Sequence, residues 1–157
     1  MDIYAMPGHL IRRLHQISVA LFAERMARAG LSLTPVQYAA LSGIRAHPQV
    51  DQATLAGLVA YDRATLGKVI DRLESRALVR RATSDRDRRA KELTLTGEGL
   101  ALLRAADPHV SDLQPDILAG LSPGERDAFL AMLTRITLAG NERSRAPLKP
   151  PQGKGGA

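Results

Sequence analysis

The stretch DRATLGKVIDRLESRALVRRATSDRDRRAKELTLT, residues 62–96, changes its periodicity partway along, and that change decides the fold. Over residues 62–75, Leu66, Val69, Ile70 and Leu73 follow i, i+3, i+4, i+7 spacing, one buried stripe of a helix, with Asp62 placed to cap its start. The opposite side carries Arg63, Thr65, Lys68, Asp71, Arg72 and Ser75. Leu78-Val79-Arg80-Arg81 then reads as a strand. Leu93 and Leu95 alternate with Thr94 and Thr96 in a second strand, and the charged run from Thr83 to Arg89 is the hairpin tip between them.

Immediately upstream, Asp51 is a cap for a short helix with Leu55, Leu58 and Val59 inward, and only a few residues around Tyr61 separate the two helices. A short helix, a tight turn and a longer helix with a basic face make a helix-turn-helix; a hairpin directly after it is the wing of a winged helix. Before this unit, Thr34-Pro35-Val36-Gln37 is a capping box that opens a helix closed by His47-Pro48. Farther out, Leu10, Leu14, Ile17 and Leu21 form the stripe of a helix over His9 to Ala29, ended by Gly30. On the other side Thr96 starts a helix with Leu100, Leu103 and Ala106 inward, in which Pro108 and Pro115 predict a bend or break. Ser122-Pro123-Gly124-Glu125 opens a last helix with Phe129, Leu130, Leu133 and Ile136, ended by Gly140. The expected architecture is mainly α with a small β-hairpin wing. It assigns residues 34–95 to a winged helix-turn-helix DNA-binding domain, 8–30 and 96–140 to N- and C-terminal dimerisation helices, and 141–157 to a disordered basic tail.

Charge follows the same division. The 157 residues carry a formal net charge of +6. Residues 62–91 hold ten basic and five acidic side chains, whereas residues 92–140 hold three basic and seven acidic. A charge run alone is an ordinary solvated face; inside a structured unit of this kind, attraction to phosphate is its commonest use. Aromatic residues make up only 3%, too few for a sheet that stacks single-stranded bases. The absence of cysteine removes disulfides, Cys-ligated zinc and thiol chemistry. His9, His15, His47 and His109 show no i, i+4 pairing, and there is no phosphate loop, dinucleotide fingerprint or nucleophile elbow. No catalytic role, cofactor or metal is therefore expected. No apolar run reaches the length of a membrane span, and the N-terminal residues lack the pattern of a signal peptide, so the expectation is a cytoplasmic protein without membrane contact.

The segment Leu55–Gly97 resembles the multiple-antibiotic-resistance regulator (MarR) family of winged-helix repressors. The resemblance lies in Leu73-Glu74, Leu78-Val79-Arg80-Arg81, Asp87-Arg88-Arg89-Ala90-Lys91, and Leu95-Thr96 followed by Gly99. The family usually has glycine where this chain has Ala77. Met6–Leu14 and Asp51–Ala56 also look like its regulators of aromatic-acid catabolism, those of hydroxynicotinate degradation among them.

Within that frame, Thr65 and Lys68 are placed to face base edges, Arg63 bases or phosphate, and Arg72 phosphate. In the wing, Arg86, Arg88 and Arg89 crowd the tip. The resemblance implies that Arg89 enters the minor groove, while Asp87 orients the arginines. The family's effector cleft implies a role for the polar start of the first helix, His9, Arg12, Arg13 and Gln16, with Tyr38 supplying a ring or hydroxyl; a solvated helix end is the plain alternative. The expectation is a homodimeric repressor on an inverted-repeat operator in double-stranded DNA, released by a small aromatic carboxylate. Its rival is a winged-helix module that binds protein or RNA without effector control; three arginines at the wing tip speak against that rival.

Overall fold

The computed structural model describes residues 2–84 and 91–148. Six helices surround a small sheet: α1 (Pro7–Arg28), α2 (Pro35–Ala46), α3 (Gln52–Leu58), α4 (Arg63–Ser75), α5 (Gly97–Ile117) and α6 (Pro123–Ala139). The strands are β1 (Val50–Asp51), β2 (Val79–Thr83) and β3 (Lys91–Leu95), antiparallel in the order β1-β3-β2. The two strands expected to form a hairpin do pair, Val79 with Leu95 and Thr83 with Lys91. β1 was not expected. Two residues are too few to show alternation, yet Val50 pairs with Leu93 and closes the sheet. The four wing-tip residues Arg86, Asp87, Arg88 and Arg89 lie outside the described residues.

The starts of the helices are written in the chain. Thr34 and Gln37 bond reciprocally, Gln37 N–H to Thr34 Oγ1 at 3.3 Å and Thr34 N–H to Gln37 Oε1 at 3.1 Å. Asp51 accepts from the N–H of Thr54, Asp62 from that of Thr65, each at 2.9 Å. The core gathers where these helices meet: Leu41 and Ile44 of α2, Leu55 of α3, Leu66, Ile70 and Leu73 of α4, Leu93 of β3 and Leu103 of α5 are fully buried. Phe22 and Met26 bring the second half of α1 onto this core. Its first half does not follow, and Leu10, Ile11 and Ile17 remain about half exposed.

Two expectations change in part. Of the bend or break expected at Pro108 and Pro115 there is no break: α5 runs on through both prolines. Each proline removes the N–H that would reach the carbonyl four residues back, those of Arg104 and Ser111. Both residues are exposed, so water can take the freed carbonyls, while Leu103, Ala106 and Leu113 keep the other side packed. Residues 141–148 of the tail are also structured. A short 3-10 turn, Asn141–Arg143, is followed by a return in which the Asn141 side chain accepts from the Leu148 N–H at 2.7 Å and donates to its carbonyl at 3.1 Å. The carbonyl of Pro147 then lies against Gly57 of α3, where a Cβ would sit 2.7 Å from its oxygen.

Candidate nucleic-acid interface

α3, the turn at Ala60–Tyr61 and α4 form the helix-turn-helix, and two left-handed residues shape it. Ala60 (φ 56) ends α3 and Ala77 (φ 57) ends α4. Each is followed by a residue whose N–H reaches back to the last turn: Tyr61 to the Ala56 carbonyl at 3.1 Å, and Leu78 to that of Leu73 at 2.9 Å. Such a closure favours glycine at the left-handed position, so alanine there costs on the order of 1 kcal/mol.

Arg63, Thr65, Lys68 and Arg72 are all exposed; Lys68 and Arg72 lie opposite the buried stripe of α4, and Arg63 stands at its first position. Lys68, Asp71, Arg72, Ser75 and Arg76 line a wide, open depression there. Among the described residues, Lys68 and Arg72 have no ion pair, and their charge faces solvent. Thr65 is differently engaged. Its hydroxyl donates to Asp62 Oδ2 at 2.7 Å, so it offers DNA a methyl group and an oxygen lone pair but no free hydrogen. The N–H and hydroxyl of Thr65 together hold the Asp62 carboxyl below the usual carboxylate range.

Two contacts of this helix have no sequence forecast. Arg76 donates to the Ser32 carbonyl at 2.8 Å, tying the end of α4 to the α1–α2 turn. Arg81, on β2, donates from its terminal nitrogen to Asp71 Oδ1 at 2.5 Å and brings Nε to 3.6 Å from Glu74 Oε2. The second was within reach of strand periodicity: Arg81 lies two residues from buried Val79 and so shares its face. Behind α4, the Thr96 hydroxyl donates to the Ala77 carbonyl at 2.6 Å, and Gly99 presses on Leu78 so closely that a Cβ would collide with its carbonyl. That contact gives the quoted Leu95-Thr96 and Gly99 their physical reason.

The effector residues expected from sequence are not gathered within one chain. Arg12, Arg13 and Gln16 are exposed on α1, and His9 sits half-buried beside Tyr4, ring edge to face at 5.8 Å. Tyr38 lies instead near Phe22, ring centroids 6.1 Å apart. At about 1.5 Å rise per residue, Phe22 is more than 13 Å along the helix from Arg13. The Tyr38 hydroxyl donates to Asp107 Oδ1 at 2.9 Å, and Arg45 forks onto the same carboxylate at 2.6 and 3.3 Å. Burial and then this bond raise the Tyr38 phenol above its ordinary value, while Arg45 draws Asp107 below its own. The cluster ties α2 to α5. Arg45 and Asp107 are far apart in sequence and no spacing announces them.

Among the described residues, no group of three or more His, Asp or Glu could hold a metal ion, and no helix is long and apolar enough to cross a membrane. The MarR family profile matches residues 33–91. The HTH-type transcriptional repressor NicR of Pseudomonas putida is similar at 33% identity over 135 residues, 86% of this chain and 84% of NicR. Bordetella bronchiseptica BpsR, whose DNA binding is regulated by 6-hydroxynicotinic acid, has a similar structure, with a TM-score of 0.81 at 30% identity over 87% of this chain and 96% of its own. The transcriptional repressor CouR, solved on a 23-mer DNA duplex, shares 32% identity and a TM-score of 0.75 over 84% of this chain and 92% of its own. These relatives are regulators rather than enzymes, and their likeness covers most of this chain, beyond the winged unit alone. The chain thus belongs to the MarR family of DNA-binding transcriptional regulators.

Proposed function

We propose that the protein is a homodimeric repressor that holds an inverted-repeat operator and releases it when a small aromatic carboxylate binds. The observation that carries this reading is the outward face of α4, where Lys68 and Arg72 stand exposed beside Arg63 with no acidic partner among the described residues. In the complex α4 enters the major groove, with Arg63, Thr65 and Lys68 at base edges and Arg72 at phosphate. Arg86, Arg88 and Arg89 follow the minor groove, Asp87 orienting them.

The two-fold interface uses apolar surface that one chain leaves uncovered: Leu10 and Ile11 on α1, 50% and 57% exposed, and Ile136 and Leu138 on α6, 64% and 62% exposed. Arg12 and Arg13 lie within that surface on α1. Closing a dimer over them would strand their charge, and a ligand carboxylate supplies the counter-ion. The regulation of BpsR by 6-hydroxynicotinic acid supports the choice of an aromatic acid.

A gel shift with the promoter beside the protein's own gene, repeated with benzoate- and nicotinate-type acids, tests the reading. Retarded DNA that is freed by one of these acids is the expected result. Release needs only a few kcal/mol of differential affinity between two dimer geometries. Arg13→Ala should blunt release without abolishing DNA binding. No retarded DNA would overturn the reading; retarded DNA with no heat of binding for any acid in calorimetry would overturn its effector half.

A further inference from the structure

We propose that Arg81 is a positioning residue for DNA binding, which holds and neutralises Asp71 and Glu74 so that α4 meets phosphate as a cationic surface. This rests on the reading of α4 as the helix that enters the groove.

The depression lined by Lys68, Arg72 and Arg76 is also lined by the carboxylate of Asp71, and Glu74 follows Asp71 one turn along α4. At physiological salt the screening length is about 8 Å, longer than the spacing of groups packed along one groove, so bare carboxylates there would be repelled by the DNA backbone. A single guanidinium answers both. Arg81 bonds Asp71 at 2.5 Å and brings Nε to 3.6 Å from Glu74. Its depth separates it from a phosphate contact: the Arg81 side chain is only 23% exposed, against 67% for Asp71. It sits beneath the carboxylates, delivered by β2 from the wing side. With both carboxylates in contact with water, such a pair adds little to folding stability. Its effect belongs to the complex, where it removes like-charge repulsion and fixes α4 relative to the hairpin.

The test is operator affinity by fluorescence anisotropy at fixed salt, using the full chain. Arg81→Gln should weaken binding on the order of tenfold, and adding Asp71→Asn to that variant should restore most of the loss, because the exposed carboxylate is gone. Asp71→Asn alone should bind as tightly as wild type or tighter. A defect in Arg81→Gln that Asp71→Asn fails to relieve would overturn the proposal, as would an Asp71→Asn variant weaker than wild type, which would make Asp71 a base reader. Should Arg81→Gln lose its helical circular dichroism, Arg81→Lys serves: retained charge should keep affinity within a few-fold of wild type, and a tenfold loss in a folded Arg81→Lys would count against neutralisation. Lys68→Ala is measured alongside. If it binds as wild type does, the groove-entering role of α4 itself fails, an outcome distinct from a failure of Arg81.

Discussion

Ala77 closes α4 in a conformation that glycine adopts freely and alanine does not. Ala77→Gly should therefore raise stability by roughly 0.5–1 kcal/mol, read as a higher urea midpoint with an unchanged slope. A lower midpoint would show that the methyl group makes a contact worth more than the backbone cost. Gly99→Ala tests the opposite case. With the Leu78 carbonyl already against the glycine, a methyl group must push β2 and α5 apart, and a loss of about 1–3 kcal/mol or more is expected in the same measurement. On the proposed reading, in which Arg89 follows the minor groove, Arg89→Ala should weaken operator binding by roughly 1–3 kcal/mol with the helical circular dichroism unchanged. Equal affinity at matched salt would remove Arg89 from the interface.

At the scale of elements, helix starts depend on carboxylates and so on pH. The Asp51 carboxyl, capping α3, and that of Asp107, paired with Arg45, both lie below their ordinary values. For Asp51 burial opposes the shift, and the bonds from Thr54 prevail. Since the folded values are the lower ones, the stabilisation is complete above the unfolded value of about 3.9 and is lost as pH falls through and below it. The urea midpoint should fall between pH 5 and 3, and Asp51→Asn, which keeps a cap but cannot titrate, should flatten part of that fall. Capping residues act on their own chain neighbours, which is why Thr34, Asp51, Asp62 and Thr96 were legible from sequence alone. β1 was not, because Val50 owes its strand conformation to Leu93. The continuity of α5 through two prolines was likewise decided by which side of the helix meets water.

For the whole molecule, the winged unit was legible because its helix periods and strand alternation are local, and the basic face of α4 followed from the same stripe. The linkage of Tyr38, Arg45 and Asp107 depends on the docking of α2 on α5, and sequence placed Tyr38 with the α1 residues instead. The proposed two-fold interface is tested at the apolar surface that one chain leaves uncovered. Ile136→Asp together with Leu10→Asp should give a folded monomer in sedimentation at micromolar concentration, with operator affinity reduced by orders of magnitude because two linked half-sites become two separate ones. A variant that remained dimeric would place the interface elsewhere.

The two prolines of α5 each adjoin an aspartate that grips a neighbouring helix. Asp107, before Pro108, holds Arg45 of α2, and Asp116, after Pro115, holds Arg25 of α1 at 2.9 Å. A helix missing a rung bends most easily at that turn. In mechanical terms α5 is a beam with two compliant joints, each carrying a bracket to the helix beside it. Each bracket thus meets the beam beside a joint where its ladder lacks a rung, so a tilt of α1 or of α2 would be taken up first at the nearer proline turn.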